Sequence, residues 1–359
     1  MTLNKVSRQV PLSLEGTARP GVSDPSSATL THQAEATRLI NEALRQPWRG
    51  TSDAIIAAVT ILANWQSFVG DLSEAEQCLG GLERLFRMRG GLEALPLPLV
   101  QRIQRVDTNV AAASSSRPCF PLLKVQNIDI RRTIPLSKNA QLFNHNLHLL
   151  GTGFLRSDVS DLLSQDIQII FDDMQALAML FNLWTHGQAN SLGLANDFFE
   201  MRIVAVENRL LTMPHQESYD CAALVQECCR IAALLFVNTS FWLWQKWNRV
   251  LVALVALLGR KVDIAQRMDC WRPPLWEVLM WIIFFGRHAA SAQDQADWFS
   301  RRLVTVTKNL GIVSWEEARK ILMRFFYWDA VHSQPFSDIW DELQMLRTWN
   351  DLMNTIADL

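Results

Sequence analysis

Residues 70–91, GDLSEAEQCLGGLERLFRMRGG, read as one complete helix with both ends marked. Asp71 or Ser73 supplies the N-cap, with Glu74 or Glu76 at the third position of the matching capping box. Leu72, Ala75, Leu79, Leu82 and Phe86 then recur at steps of three and four, which lays one apolar stripe along the helix. Arg87 and Arg89 fall in the last turn, where cations suit the helix dipole, and Gly90-Gly91 accept the left-handed turn that stops it. The preceding residues 55–69 are apolar nearly all round. Together the two segments predict a helical hairpin whose first arm is buried.

Working outward, residues 1–30 are rich in Ser, Pro, Gly and Thr without apolar periodicity, the composition of a disordered lead. A helix is predicted from Thr31, with Ala34, Leu39 and Ile40 on its packed face, interrupted by Pro47 and Gly50. Another spans about 98–114. Between 117 and 153, Pro118, Pro121, Pro135, Gly151 and Gly153 break any regular pattern. A connection of that length is predicted to run over the helices as the seam between two halves of one domain. Beyond it Leu163, Ile167, Ile170, Met174, Leu177, Phe181 and Trp184 alternate steps of four and three. That stripe fits one long helix inside a bundle, and it also permits a coiled-coil homodimer. Further helices are predicted at about 193–212, 219–241, 243–258, 274–290, 293–310, 315–327 and 336–356. Ser314 with Glu317 forms a second capping box, and Pro273-Pro274 suit a first turn. No segment alternates as a strand does. The expected fold is all-α, a large multi-helix bundle of stacked helical hairpins, in a single domain over 31–356 with a long central connection.

At 359 residues the chain can bury a sizeable core, and 49% apolar with 19% charged residues is the balance of a globular protein. The net charge is −2, and basic doublets such as Arg131-Arg132 and Arg301-Arg302 are too small for a phosphate-binding stripe. The most membrane-like run, VLVALVALL at 250–258, is too short to span a bilayer and follows Lys246, Asn248 and Arg249. MTLNKVSRQVPLSLEG at the start lacks the apolar core of a secretory signal, so a soluble intracellular protein is expected. Fourteen Trp against two Tyr either fill the grooves of a helical core or mark a partner surface. The densest cluster is FWLWQKW at 241–247, which makes Phe241, Trp242, Trp244 and Trp247 the candidate partner-binding residues.

Motifs for chemistry are missing. The six cysteines form no Cys-x-x-Cys pair for zinc and no visible disulfide framework, and Cys228-Cys229 lies in an apolar run that suggests core packing. His145 and His148 are three apart without acidic neighbours. A terpene-synthase reading founders because Asp172-Asp173 is followed by Met174, Gln175 and Ala176, so no closing carboxylate completes a magnesium motif. Asn196-Asp197 continues to Glu200 and Val204, again short of the second motif. No phosphate-binding glycine loop, nucleophile elbow or HExxH helix is present. No catalytic residue, cofactor or metal ligand is predicted, and the chain is not expected to be an enzyme.

With those residues laid out, the chain resembles the fungal-specific transcription factor domain, the helical regulatory region of fungal zinc-cluster regulators. GDLSEAEQCLGGLERLFRMRGGLEAL (70–95), with Met88 just before Gly90-Gly91-Leu92, is similar to that family's helix with a Gly-Gly-Leu turn, and RPCFP (117–121) to its Arg-Pro-aromatic connection. VQECCRIAALLFVNT (225–239) is similar to a central family helix. WEVLMWIIFFGRHAA (276–290) and WFSRRLVTVTKNLGIVSWEEARKILMRFFYWD (298–329) look like its C-terminal pair. The resemblance implies transcription regulation in the nucleus, through protein partners such as transcription factors or co-regulators. The family's DNA-reading zinc cluster carries six cysteines N-terminal to this region and has no counterpart here, so no direct nucleic-acid contact is expected. If that cluster belongs to the same gene, DNA upstream of Met1 encodes Cys-x-x-Cys pairs in frame. The alternative is a small-molecule-sensing module or a helical enzyme with degenerate terpene-synthase-like motifs, which predicts an enclosed cavity with convergent polar groups.

Overall fold

The computed structural model describes residues 27–46, 50–68, 71–122, 147–185, 196–214, 220–242, 248–290 and 292–357. After α1 (Ser27–Leu44), the hairpin arms are α2 (Asp53–Phe68) and α3 (Leu72–Arg89). Asp71 is the N-cap, its carboxylate accepting the Ser73 N–H at 2.8 Å. Glu74 does not close a capping box; it accepts from the Gln66 amide across the hairpin, while Gln66 Oε1 takes the Asp71 N–H at 3.1 Å. A side chain from the neighbouring arm thus satisfies a backbone donor that a local box was expected to satisfy. Gly90 stops α3 at φ 91°, and the Gly91 N–H returns to the Phe86 carbonyl at 2.8 Å. Any residue with a Cβ would be strained at that angle.

The chain continues through α4 (Leu97–Ser114), a single turn at Ser157–Ser160, α5 (Gln165–Thr185), α6 (Asn196–Thr212), α7 (Cys221–Ser240) and α8 (Arg249–Arg267). It ends with α9 (Trp276–Ala289), α10 (Gln293–Asn309), α11 (Trp315–Leu322) and α12 (Asp329–Ala357). The fold is all-α, with no strand among the described residues. Two main cores form. The smaller joins Ile40 of α1 with Ile56, Val59 and Ala63 of α2, Leu79, Leu82 and Phe86 of α3, and Val100 to Val110 of α4. The larger starts at Ala111 and runs to Leu343. Helix α4 is common to both, packing on α2 and α3 on one side and on α6 and α8 on the other.

Helices α7 and α9 contribute long buried runs to the larger core, from Leu224 to Val237 and from Val278 to Phe285. Helix α7 is long and apolar enough to cross a membrane, yet 83% of its most apolar window is buried inside this fold. That burial accounts for the composition, and the run is longer than the 250–258 stretch that the sequence singles out. The α5 stripe is likewise consumed within the chain. Leu163, Ile167, Ile170, Met174, Leu177 and Phe181 are buried in the larger core, and only Trp184 stays exposed.

Several boundaries differ from the sequence reading. Helix α1 starts at Ser27, inside the predicted disordered lead, and residues 1–26 lie outside the described residues. Helix α8 starts at Arg249, where the Asn248 side chain accepts the Val250 N–H at 2.8 Å, and runs on to Arg267 because Val262 and Ala265 extend the buried row of Leu251, Val255 and Leu258. Helix α11 stops at Leu322, since Phe325 and Phe326 turn into the core. The capping box of Ser314 and Glu317 forms as read. Helix α12 starts at Asp329 and runs through Pro335, near its start, where the missing N–H costs one internal bond. Pro273 and Pro274 make a 3-10 turn that precedes α9 rather than its first turn. The expectation of no disulfide is overturned: Cys221, at the start of α7, is bonded to Cys270, just past α8, with their Cα atoms 5.1 Å apart. Helix packing joins these two across 49 residues, a proximity that no local spacing announces. Cys228 and Cys229 are buried in the core as expected.

The seam is anchored at both ends. On the near side Asp107 accepts the Cys119 and Phe120 N–H groups at 2.9 and 2.8 Å, and Gln104 donates to the Pro121 carbonyl at 2.7 Å. Phe120 packs edge-on to Phe86 at 5.2 Å. Residues 123–146 lie outside the described residues. On the far side the Gly153 N–H bonds the Arg324 carbonyl at 2.7 Å, while Glu277 accepts from both Arg156 at 2.5 Å and Arg324 at 2.7 Å.

Helices α9 and α10 meet through Gly286. A Cβ there would sit 2.6 Å from Phe299 Cζ and closer still to Cε1, and Phe299 is itself buried. Gly286→Ala should therefore lower stability by about 2 kcal/mol through overpacking. Phe299→Leu in the same chain should recover part of that loss, as a double-mutant cycle on thermal or urea unfolding will show. Purely additive effects would mean the two residues do not meet.

Candidate functional site

The predicted cluster divides. Phe241 follows α7 and lies in the core, with its ring 5.5 Å from Phe181 and 5.6 Å from Phe236. It is a packing residue, so the structure corrects its place among the partner-binding candidates. Trp244 and Trp247 lie outside the described residues. Trp242 is half-buried at the junction of the two cores. Its Nε1–H donates to Glu207 Oε2 at 3.1 Å, and the Arg105 guanidinium lies 4.0 Å from its ring centroid. Arg105 comes from α4 and reaches Glu200 of α6 at 3.6 Å, so this stack ties the smaller core to the larger one.

Beneath Trp242, Glu207 is 2% exposed, and its second oxygen accepts the Asn238 amide at 2.9 Å. Burial pushes its carboxyl up to about 7, partly offset by the Trp242 donor, the Arg105 charge and the Asn238 donor. A carboxyl poised near neutrality is a form that proton-transfer catalysts take. Here both oxygens are held by protein donors beneath an indole, which leaves no open face for a substrate. Asp107, at the other anchor, is raised to about 6 by burial, against two backbone N–H bonds that lower it.

Compared with family models, curated proteins and solved structures, the chain matches none.

Other groupings offer less chemistry than their residue types suggest. Ser240 Oγ lies 3.0 Å from His332 Nε2, a pair that resembles a nucleophile and its base. His332 Nδ1, however, accepts the Trp328 N–H at 2.9 Å, so Nε2 carries the proton and donates to the hydroxyl. His332 is fully buried, and burial together with His288 holds it neutral. A base already protonated at the required nitrogen cannot activate serine. Asp173 is ion-paired with Arg209 between α5 and α6, and no group of three or more His, Cys, Asp or Glu among the described residues could hold a metal. His145 lies outside the described residues, as does most of the connection it belongs to.

A groove of about 510 Å³ runs between α1, α2 and α3, where Ile40, Val59, Leu62 and Leu85 share the lining with polar residues such as Asn41, Gln66, Glu74 and Arg84. Its size lies in the range of small-molecule sites. Sequence periodicity places its apolar residues, but their convergence depends on the angle at which α1 crosses the hairpin.

The Glu207 arrangement carries a pH signature. A carboxyl whose folded pKa exceeds its unfolded value near 4.5 binds its proton more tightly when folded. Its contribution is therefore fully present below about 4.5 and is lost as pH rises towards about 7. Glu207→Gln removes that titration. The stability difference between variant and wild type should shift by on the order of 3 kcal/mol in favour of the variant between pH 4.5 and 8. Urea unfolding across that range checks it; a pH-independent difference would refute the buried-acid account.

Proposed function

We propose that the chain is a transcription-regulator-like helical domain that works through contacts with other proteins. The observation that carries this reading is the ordered resemblance of residues 70–95, 117–121, 225–239, 276–290 and 298–329 to the fungal-specific transcription factor domain. Those stretches correspond to α3, the anchored seam, α7 and the α9–α11 core. They are scaffold elements, which leaves the surface to supply specificity. The expected partners are transcription factors or co-regulators in the nucleus, with no direct reading of nucleic acid by these residues.

Tethering tests this. Fusing the chain to a heterologous DNA-binding module should change a reporter at its cognate site several-fold in either direction. An unchanged reporter, with the fusion expressed and folded, would count against regulation.

The groove between α1, α2 and α3 favours a second reading, a small-molecule-sensing module, because apolar and polar side chains from all three helices line it together. Thermal-shift screening of apolar metabolites against wild type and Val59→Trp separates the two: a ligand shift lost in the variant supports sensing.

A further inference from the structure

Helix α12 is apolar on two sides. Phe336, Ile339, Trp340 and Leu343 face the core at 0–5% exposure. Met345, Trp349, Leu352 and Met353 are 68, 60, 52 and 46% exposed. At about 100° per residue these four fall within one arc of roughly 100°, on the side away from Leu343. They extend over about 12 Å of helix. Other large exposed apolar side chains, such as Leu97 and Leu155, lack such a helical series.

The charges around this row indicate what it meets. Asp338 falls on the same arc two turns before the apolar row and Asp341 about 20° beside it one turn before, and both are exposed. Among the described residues neither is in an ion pair, and Asp338 accepts only the Gln334 amide, at 2.7 Å. The basic residue nearest in sequence, Arg347, turns inward, donating to the Ile312 carbonyl at 3.3 Å and lying 5.2 Å from the Trp340 ring. Glu342 also turns inward, to Arg287. The outward face is therefore acidic and then apolar, with no cation of its own helix beside it.

We propose that this face of α12 docks in an apolar groove with a basic rim on a partner protein, with Trp349 as the central anchor. The proposal rests on the reading that the chain works through protein contacts, and it names the surface. Spacing of i, i+4, i+7 and i+8 is that of a helix laid into a groove, and Trp is the residue type most often found at the energetic centre of such contacts. A second copy is a poorer occupant. Parallel pairing sets carboxylates against carboxylates, and antiparallel pairing centred on Trp349 covers the apolar row but offers Asp338 and Asp341 no cation, since Arg347 is the only Lys or Arg of the helix and turns inward. An anionic lipid surface would repel the same acids. A groove edged by Lys or Arg satisfies both halves of the face.

The experiment places the photo-crosslinker p-benzoylphenylalanine at Thr348, which is exposed beside the row, in the full chain expressed in native cells. The same probe at exposed Met88 of α3 serves as the control position. The expected result is an adduct, specific to position 348, with a peptide of a different protein in which apolar residues are flanked by Lys or Arg. Its yield should fall at least tenfold with Trp349→Asp and also with Asp338→Lys/Asp341→Lys, while the purified variants keep the wild-type melting temperature and circular dichroism. No adduct, an adduct only with a second copy or with lipid, or a yield indifferent to Trp349→Asp or to charge reversal would overturn the proposal. If position 348 yields nothing while the tethered reporter still responds, the docking face is wrong and the protein-contact reading stands. An adduct from 348 with a silent reporter would keep the face and remove the regulatory reading.

Discussion

Replacing Trp281 by alanine should lower the stability of the chain by about 4 kcal/mol, the range seen when a fully enclosed large aromatic is removed. Trp281 is 0% exposed at the middle of α9. Its ring meets Phe154 edge-on at 5.2 Å, and its Nε1–H donates to the Phe326 carbonyl at 3.1 Å. Phe154 belongs to the returning end of the seam and Phe326 to the turn after α11, so one side chain holds three parts of the larger core together. Its removal leaves a cavity and an unbonded buried carbonyl. With an unfolding entropy of roughly 0.7 kcal/mol/K for a chain of this length, the melting midpoint should fall by roughly 6 °C. Trp281→Phe keeps most of the packing and loses the hydrogen bond, and should cost about half as much. A loss below about 1 kcal/mol for alanine would mean that this core is not packed as described.

Reduction of the Cys221–Cys270 bond should have an effect of similar size. The bond closes a loop of 49 residues that contains all of α7 and α8. In the chain-entropy account, a loop of that length restricts the unfolded state by about 4 kcal/mol. Cys270 is 2% exposed while Cys221 is half-buried, so the bond is reached from the α7 end. The comparison is unfolding of the wild type with and without a reductant, beside Cys221→Ser, which has no bond to lose. Wild type should drop towards the variant on reduction, and the variant should not respond. If both respond equally, or neither does, the bond contributes nothing to the folded state. In a reducing compartment such as the expected nucleus, the same measurement states how stable the chain is there with free thiols.

The parts of this fold that were legible in the sequence are those set by near neighbours along the chain. Asp71, the α3 stripe and Gly90 specify a helix and its ends locally, and Ser314 with Glu317 does the same for α11. The apolar run around Cys228-Cys229 likewise pointed to core packing, and α7 is buried there. Boundaries failed where tertiary packing decides. Helix α8 outlasts Gly259 because Val262 and Ala265 find a buried surface, and α11 stops early because Phe325 and Phe326 are drawn inward. Gln66 replaced a capping box because it arrives from the other arm of the hairpin.

The candidate site was less legible for the same reason. Trp density drew attention to residues 241–247, but composition does not distinguish Phe241, which is core, from Trp242, which spans a junction. Glu207 and Asp107 look like ordinary helix acids until the fold encloses them. The sequence predicts a helix at about 336–356 without assigning its faces, because which of its two apolar faces stays exposed is settled only when the other meets α9 and α10.

Quantitative affinity purification of the full chain from native cells tests the central claim, that contact surfaces rather than chemistry are how this molecule works. Wild type should recover transcription regulators or components of the transcription machinery, and Trp349→Asp, folded and equally abundant, should lose at least one of them. Recovery of metabolic enzymes alone, unchanged by that substitution, would contradict it.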